Sequence, residues 1–292
     1  MTIVELISDM DSITFAADPV TADGWVYDNV TLNAWYRLPE TDPRLAKRPN
    51  AHGAYGLGQV FTREHRPVLV GQFYGTTPTL ALVARQRLSS MFADGQAIRM
   101  RVTDELGTTE RTVWLLDLVA PFQYGFDHFP FDISLVAPDP RRYGSETSDG
   151  TGMPTAGSGL TWPLGSAVSG LFWDWGTEGT IGQVSFANGG VAPTLPRIEI
   201  GDAGGFANGF RVTEVETGRE IVFERDTSIG DIVVLDSRTQ RATIGAGDVS
   251  AFLSKRQWFL IPPGATRRYQ VNPLGGTSGT PTMTLYAASA YL

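Results

Sequence analysis

Few residues of this chain have types and spacings that could do chemistry. The histidines are His52, His65 and His128, and no two of them are spaced as a metal pair would be. Cysteine is absent, which removes disulfides, thiolate metal sites and cysteine nucleophiles. His128 stands between Asp127 and Asp132 and one of these could orient it, but its position reads better as the edge of a strand. Glu214 and Glu216 fall on one face of a predicted strand, as the two carboxylates of a glycosidase could. Exposed strand acids are the ordinary explanation. The glycine-rich "GDAGGFANG", Gly201 to Gly209, has no helix behind it to supply a phosphate-binding dipole, so it reads as a flexible connection between strands. No phosphate loop, nucleophile elbow or dinucleotide fingerprint occurs. The expectation is a protein without catalytic residues, cofactor or metal.

Aromatic side chains offer a different chemistry, that of contact. "LFWDWG" places Trp173 and Trp175 on one side of a strand, where they could stack on a sugar or a partner protein, or fill a core. "WVYDNVTLNAWY" raises the same choice: Trp25, Tyr27 and Val30 belong either to a hairpin that reaches another subunit or to the core of their own domain.

The elements that must position these residues are mostly strands. "PVLVGQFYG", "AIRMRVTD" and "RTVWLLDLVA" alternate with period two, and the turn-like "DELGTTE" makes the last two a hairpin. One segment breaks the pattern. Thr77 followed by Pro78 is an N-cap and first-turn proline, after which Leu80, Ala84, Leu88, Met91 and Phe92 recur at helical spacing. This predicts a single helix over about 78–92, lying across a sheet. "HFPFDISLVAP" then aligns Phe129, Phe131, Ile133 and Leu135 on one face before Pro138-Asp139-Pro140 halts the ladder. Residues 143–159 are rich in Gly, Ser and Thr and read as a linker or exposed loop. Beyond them about nine short segments recur between turn residues, "GQVSFAN", "LPRIEIGD", "GFRVTEV", "REIVFE", "DIVVLDS", "RATIG", "QWFLIPP", "RRYQV" and "TMTLYAASAYL", with Gly218 turning "VETGRE". The fold class is therefore mainly β in two unlike domains. Residues 1–140 form a β-sheet or sandwich with one helix, and 141–292 form a β-sandwich or jelly roll.

Composition agrees with this and narrows the partners. Hydrophobic residues make up 42% of 292, enough for a real core, and charged residues make up 18%, too few for disorder. Residues 1–140 carry 11 basic and 17 acidic side chains and the remainder 12 and 14, so neither half offers a DNA-binding face. The N-terminus lacks the bases and apolar run of a signal peptide, and no stretch approaches eighteen apolar residues. The expectation is a soluble chain without membrane insertion.

Three stretches, in this order, carry a resemblance. They are "NAHGAYG…REHRPVLVGQFYG" with the helix after it, the domain-closing "FPFDISLVAPDPRRYG", and "VSFANGGVAPTLPRIEIGD…FRVTEVETGREIVFE…GDIVVLDSRTQRATIGAG…WFLIPPGATRRYQV". Over most of residues 50–290 the chain resembles the distal tail proteins, also called minor tail proteins, of long-tailed bacteriophages. The resemblance implies a virion protein of the tail tip, assembled in the host cytoplasm. Its first domain would form a hexameric ring and its second a galectin-like β-sandwich. The ring would join the tail-tube protein to the tail-tip hub and receptor-binding proteins around a channel for DNA. Subunit contacts would then fall on the loop from Glu40 to Arg66, which holds Arg63 and His65, and on the hairpin of Trp25 and Tyr27. The alternative is a carbohydrate-binding β-sandwich used in adsorption to the host surface, with Trp173 and Trp175 as the sugar contacts.

Overall fold

The structure, a computed structural model, describes residues 2–18, 23–42, 61–121, 125–157 and 178–292. The chain divides into two units, Met1–Ser145 with Tyr291–Leu292, and Glu146–Ala290. The first unit thus continues beyond Pro138-Asp139-Pro140 and recovers the last two residues of the chain.

In the first unit, β1 (Ile3–Ile7), β2 (Ser12–Phe15) and β3 (Trp25–Tyr27) precede helix α1 (Asn29–Tyr36). The two-residue strands β4 (Thr41–Asp42) and β5 (Phe61–Thr62) pair with each other. Then come β6 (Val68–Tyr74), α2 (Pro78–Ser90), β7 (Ile98–Asp104), β8 (Gly107–Val119), β9 (His128–Val136) and β10 (Arg142–Tyr143). The main sheet runs β2-β1-β7-β8-β9-β6-β3. Its two edges meet: the Ala16 N–H donates to Trp25 O (3.1 Å) and the Tyr27 N–H to Ala16 O (3.2 Å), which closes the sheet into a barrel. Closure pairs the backbone groups that an open edge would expose. The edge strands β2 and β3 are therefore joined to one another at this point.

Alternation fills the barrel. Val4, Leu6, Phe15, Leu69, Phe73, Met100, Phe129, Phe131, Ile133 and Leu135 all point inward and are buried. Outside, Glu5, Arg101, Glu110 and Arg99 form a cross-strand ladder of partly exposed ion pairs at 3.4–3.9 Å, a minor contribution to stability. Gly71 is required by close approach, because a Cβ there would lie 2.0 Å from Val26 O on the neighbouring strand.

Helix α2 covers one mouth of the barrel. Thr77 caps it as expected, its hydroxyl accepting from the Leu80 N–H at 3.3 Å, and Ala81, Ala84 and Leu88 are buried. Arg87 ties it to Asp11 at the β1–β2 turn, and Arg85 to Ala120 O beyond β8.

Helix α1 covers the other mouth and corrects the hairpin reading of "WVYDNVTLNAWY": only Trp25–Tyr27 is strand, and Val30 is helical. At eight residues it is too short to be stable alone, and its last carbonyls need donors from elsewhere. The helix's own ladder ends with the Arg37 N–H donating to Asn33 O (3.1 Å), and the two carbonyls beyond it are served from elsewhere: His65 Nε2 donates to Ala34 O (2.9 Å) and Arg111 Nη1 to Trp35 O (2.8 Å). Arg111 is 1% exposed and stands in phase with the core residue Val113. Its guanidinium lies 4.6 Å over the Trp35 ring, and Nη2 donates to Pro140 O at 3.0 Å. One side chain thus holds the C-terminal end of α1 and the segment that leaves β9. Asp139 secures that segment further by accepting from the Tyr143 hydroxyl at 2.6 Å and the Arg141 N–H at 3.1 Å.

The second unit is a sandwich. One sheet has the order β11-β23-β13-β17-β18-β19 and the other β12-β21-β15-β16-β20, with β14 and β22 paired apart from both. These strands are β11 (Thr147–Gly152), β12 (Gln183–Ala187), β13 (Arg197–Gly201), β14 (Gly204–Phe206), β15 (Phe210–Glu214), β16 (Glu220–Phe223), β17 (Ile232–Asp236), β18 (Arg241–Ile244), β19 (Gly247–Asp248), β20 (Leu253–Arg256), β21 (Thr266–Pro273), β22 (Thr277–Gly279) and β23 (Thr282–Ala287). Ile198, Val212, Ile221, Phe223, Val233, Leu235, Val271, Met283 and Leu285 form the core between the sheets. Gly218 turns the β15–β16 hairpin at φ +69°.

Three expectations are corrected in this unit. The presumed linker contains β11, a polar edge strand paired to β23 along its whole length; its backbone partner makes it a strand despite a sequence without large apolar residues. "GDAGGFANG" is not a loose connection, since Gly204, Gly205 and Phe206 are a buried strand whose glycines admit close backbone contact (a Cβ on Gly205 would meet Thr227 O at 2.2 Å). "QWFLIPP" is not a strand: Ile261 makes only a two-bond bridge to Thr194, and the ladder partner of β16 is the preceding β20.

Two substitutions test this account. Arg111→Lys keeps the charge but cannot serve Trp35 O and Pro140 O together, and we expect a loss of about 2 kcal/mol, read as a lowered calorimetric unfolding temperature. Gly71→Ala should cost about 3 kcal/mol by forcing β3 away from β6, measured by urea unfolding.

Candidate functional site

The residues singled out from the sequence do not converge on one site. Trp25 is 3% exposed and sits among Phe15, Phe73, Phe129 and Phe131, with ring centroids 4.7–6.0 Å away. Of the two placements open to it, core and subunit contact, it takes the core. Tyr27 is also buried, and its hydroxyl donates to Thr2 O at 3.1 Å. Arg63 is exposed, and its backbone N–H donates to Glu40 O at 2.7 Å. His65, two residues on, is buried: its N–H and C=O bridge to Ala137 at 2.9 and 2.7 Å while its ring holds Ala34 O. Since a carbonyl only accepts, Nε2 carries the ring proton. Burial, then the nearby Arg111, push the imidazole down to about 4. Trp173, Trp175 and His52 lie outside the described residues.

The candidate chemical pairs have local partners. His128 Nδ1 lies 3.0 Å from Asp127 Oδ1 at the exposed start of β9, with its ring stacked on Tyr74. Glu214 is 1% exposed, 3.4 Å from Arg267 Nε, and accepts from the Thr217 hydroxyl. Glu216 accepts from Arg268 Nε at 2.8 Å and from the Arg268 N–H at 2.9 Å. Burial raises the Glu216 carboxyl, but these bonds outweigh it and hold the group below its ordinary value, the opposite of what a general acid needs. Among the described residues no three His, Asp or Glu side chains are grouped as a metal site. No described helix is long and apolar enough to cross a membrane.

What the first unit does present is concave apolar surface. A groove of about 610 Å³ crosses the outer face of β3, β6 and β9, where Val26, Val70, Val119 and Pro130 lie beside Asp28, Gln72 and Asp132. A second cleft, about 490 Å³, opens between β6 and α2, with Trp25 and Phe73 at its base and Tyr74, Leu80, Val83 and Arg87 around it. Tyr74 borders both, and Tyr74, Leu80, Val83 and Val119 are each about half exposed. Tyr74, Val83 and Val119 stand out of phase with the buried residues of their own elements, while Leu80 keeps that phase and is still half exposed, as residues that meet something outside the unit would be.

In the second unit the ordering residue that the sequence did not reveal is Asn188. It is buried, and its amide donates to Ala192 O (2.8 Å) and Ile261 O (3.1 Å) and accepts from the Gly190 N–H (3.1 Å). A Cβ on Gly190 would lie 1.9 Å from Ala290 O. "NGG" is thus a clasp that gathers three separate segments of the sandwich, and its signal in the sequence was an Asn-Gly-Gly run at the end of a strand and not at a hairpin.

Residues 189–278 match the family model described as "Siphovirus-type tail component, C-terminal domain". Among the curated proteins no sequence matches the chain. Among solved structures the chain is similar to the SPP1 Dit (gp 19.1) protein, described as a paradigm of hub adsorption apparatus in Gram-positive infecting phages. The TM-score is 0.58 at 10% identity, over 88% of this chain and 90% of that one. It is also similar to a chain of the phage P2 baseplate in its activated conformation, solved with Ca and with Sr, at a TM-score of 0.54 and 10% identity over 97% of this chain and 98% of that one. Residues 189–278, which follow the Asn188 clasp, are thus similar to that C-terminal domain, and the chain along most of its length shares its fold with SPP1 Dit and with the phage P2 baseplate chain.

Proposed function

We propose that this chain is a structural component of a bacteriophage tail tip, in which copies of the first unit form a ring between the tail tube and the tail-tip hub. The observation that carries this reading is the fold shared with SPP1 Dit along nearly the full length of both chains, joined to the family match in residues 189–278. The features of the first unit support it. A barrel closed on itself and capped at both mouths offers rigid walls, and its concave apolar surface lies outside the core, where a neighbouring copy or another tail protein can cover it. The ring, its sixfold symmetry, its central channel and its contacts with receptor-binding proteins belong to the proposal, as does a location in the virion.

Residues 1–140 are proposed as the ring-forming domain and 141–292 as the accessory sandwich. Arg63, exposed beside the β4–β5 pair, remains a proposed contact. Trp25, Tyr27 and His65 are buried and would act by shaping the surface above them. Mass photometry of the purified chain, with negative-stain imaging, should show closed rings of a single copy number. Replacing Val83 with Asp in the half-exposed cleft should shift the population to monomers without lowering the unfolding temperature. A chain that is monomeric at all concentrations, alone and mixed with tail-tube and hub proteins, would contradict the reading.

A further inference from the structure

We propose that His65 is an acid-operated latch on α1: protonation of its imidazole loosens the C-terminal end of the helix and opens that mouth of the barrel. The inference does not rest on the tail reading. It rests on what surrounds the ring. His65 is 4% exposed, its backbone is fixed on both sides by Ala137, and Nε2 reaches Ala34 O. The elements packed against it bring mostly positive charge. Arg37 follows α1, Arg111 comes from β8, and Arg142 from β10, and all three disfavour a charged imidazole. On the solvent side, Arg63 and Arg66 face Glu40 and Glu64, and Glu64 is already paired with Arg66 at 2.8 Å. The one acid of the boundary segment, Asp139, is engaged by the Tyr143 hydroxyl and the Arg141 N–H.

A second proton on the ring therefore enters a site beside the buried Arg111, with the half-buried Arg142 and the exposed Arg37 adding charge of the same sign. The bond to Ala34 O favours the cation, but desolvation and the arginines outweigh it. The sign follows. The folded-state value of about 4 lies below the ordinary 6.5, so the neutral ring stabilises the closed mouth above about pH 6.5, and this stabilisation is lost as pH falls toward 4. Carboxylates with ordinary or lowered values titrate below about pH 5, which leaves the window between pH 7 and 5 to histidine.

The test uses the full chain. The Arg37 amide donates to Asn33 O at the end of α1 and reports opening there. Its hydrogen-exchange protection factor, corrected for the intrinsic rate, should fall about twentyfold between pH 7 and pH 5 in the native protein. In His65→Gln, whose side-chain amide can still donate to Ala34 O but does not titrate, it should stay flat. An equal fall in both proteins, or no fall in either, overturns the latch. Should the variant fail to fold, titration of the native protein's histidine rings by NMR decides: one ring with a midpoint below pH 5 supports the proposal, and three rings with midpoints at or above pH 6 overturn it.

Discussion

A barrel closed by strand pairing still has two open mouths, and the first unit depends on how it seals the one under α1. The difficulty is physical. An eight-residue helix leaves carbonyls without intrahelical partners, and here they face a buried mouth where water cannot serve them. Arg111 meets the need with a planar fork: one nitrogen takes Trp35 O, another takes Pro140 O, and the face of the guanidinium covers the Trp35 ring. Its charge is held by carbonyl dipoles and an aromatic face, with Asp139 as the favourable charge nearby and Arg142 as the unfavourable one. Burial, then Arg142, push the guanidinium down to about 9, so it remains cationic at neutral pH. A buried cation in such a place is stable only while every partner stays where it is, and that requirement couples α1, β8 and the segment after β9.

This coupling explains why the proline-rich stop after β9 is a fixed corner and not a slack hinge. Pro138 and Pro140 end the ladder because they lack the donors to continue it. The carbonyl of Pro140 is then captured by Arg111, and Asp139 closes onto Tyr143. The chain stays in the first unit as far as Ser145.

Much of the architecture was legible because it follows from period and from stops. The alternation of "HFPFDISLV" and "AIRMRV" marks strands with one buried face, and Thr77-Pro78 marks the start of α2. The missed parts share a cause: their partners are remote in sequence. Helix α1 has too few residues to show a clear apolar stripe, and its stability comes from His65 and Arg111 far along the chain. Strand β11 is polar throughout and is a strand only because β23 pairs with it. Arg111 stands at a core position of β8 where charge is rarely placed, and that phase was the one available hint. The apolar surface at Tyr74, Leu80 and Val83 was hidden differently: Leu80 keeps the helical spacing of the buried stripe, yet it is half exposed. Pattern alone cannot separate a stripe that meets its own sheet from one that faces outward.

The central claim is that Arg111 makes the α1 mouth and the segment after β9 a single cooperative piece. Native-state hydrogen exchange along a urea series tests it most directly, through the Arg37 amide bonded to Asn33 O and the Ala137 amide bonded to His65 O. If the account holds, both amides exchange through one opening, with the same free energy and the same dependence on urea, well below the amides of β1 and β7. Two distinct openings, with Arg37 exchanging while Ala137 stays protected to the level of the barrel strands, would contradict it.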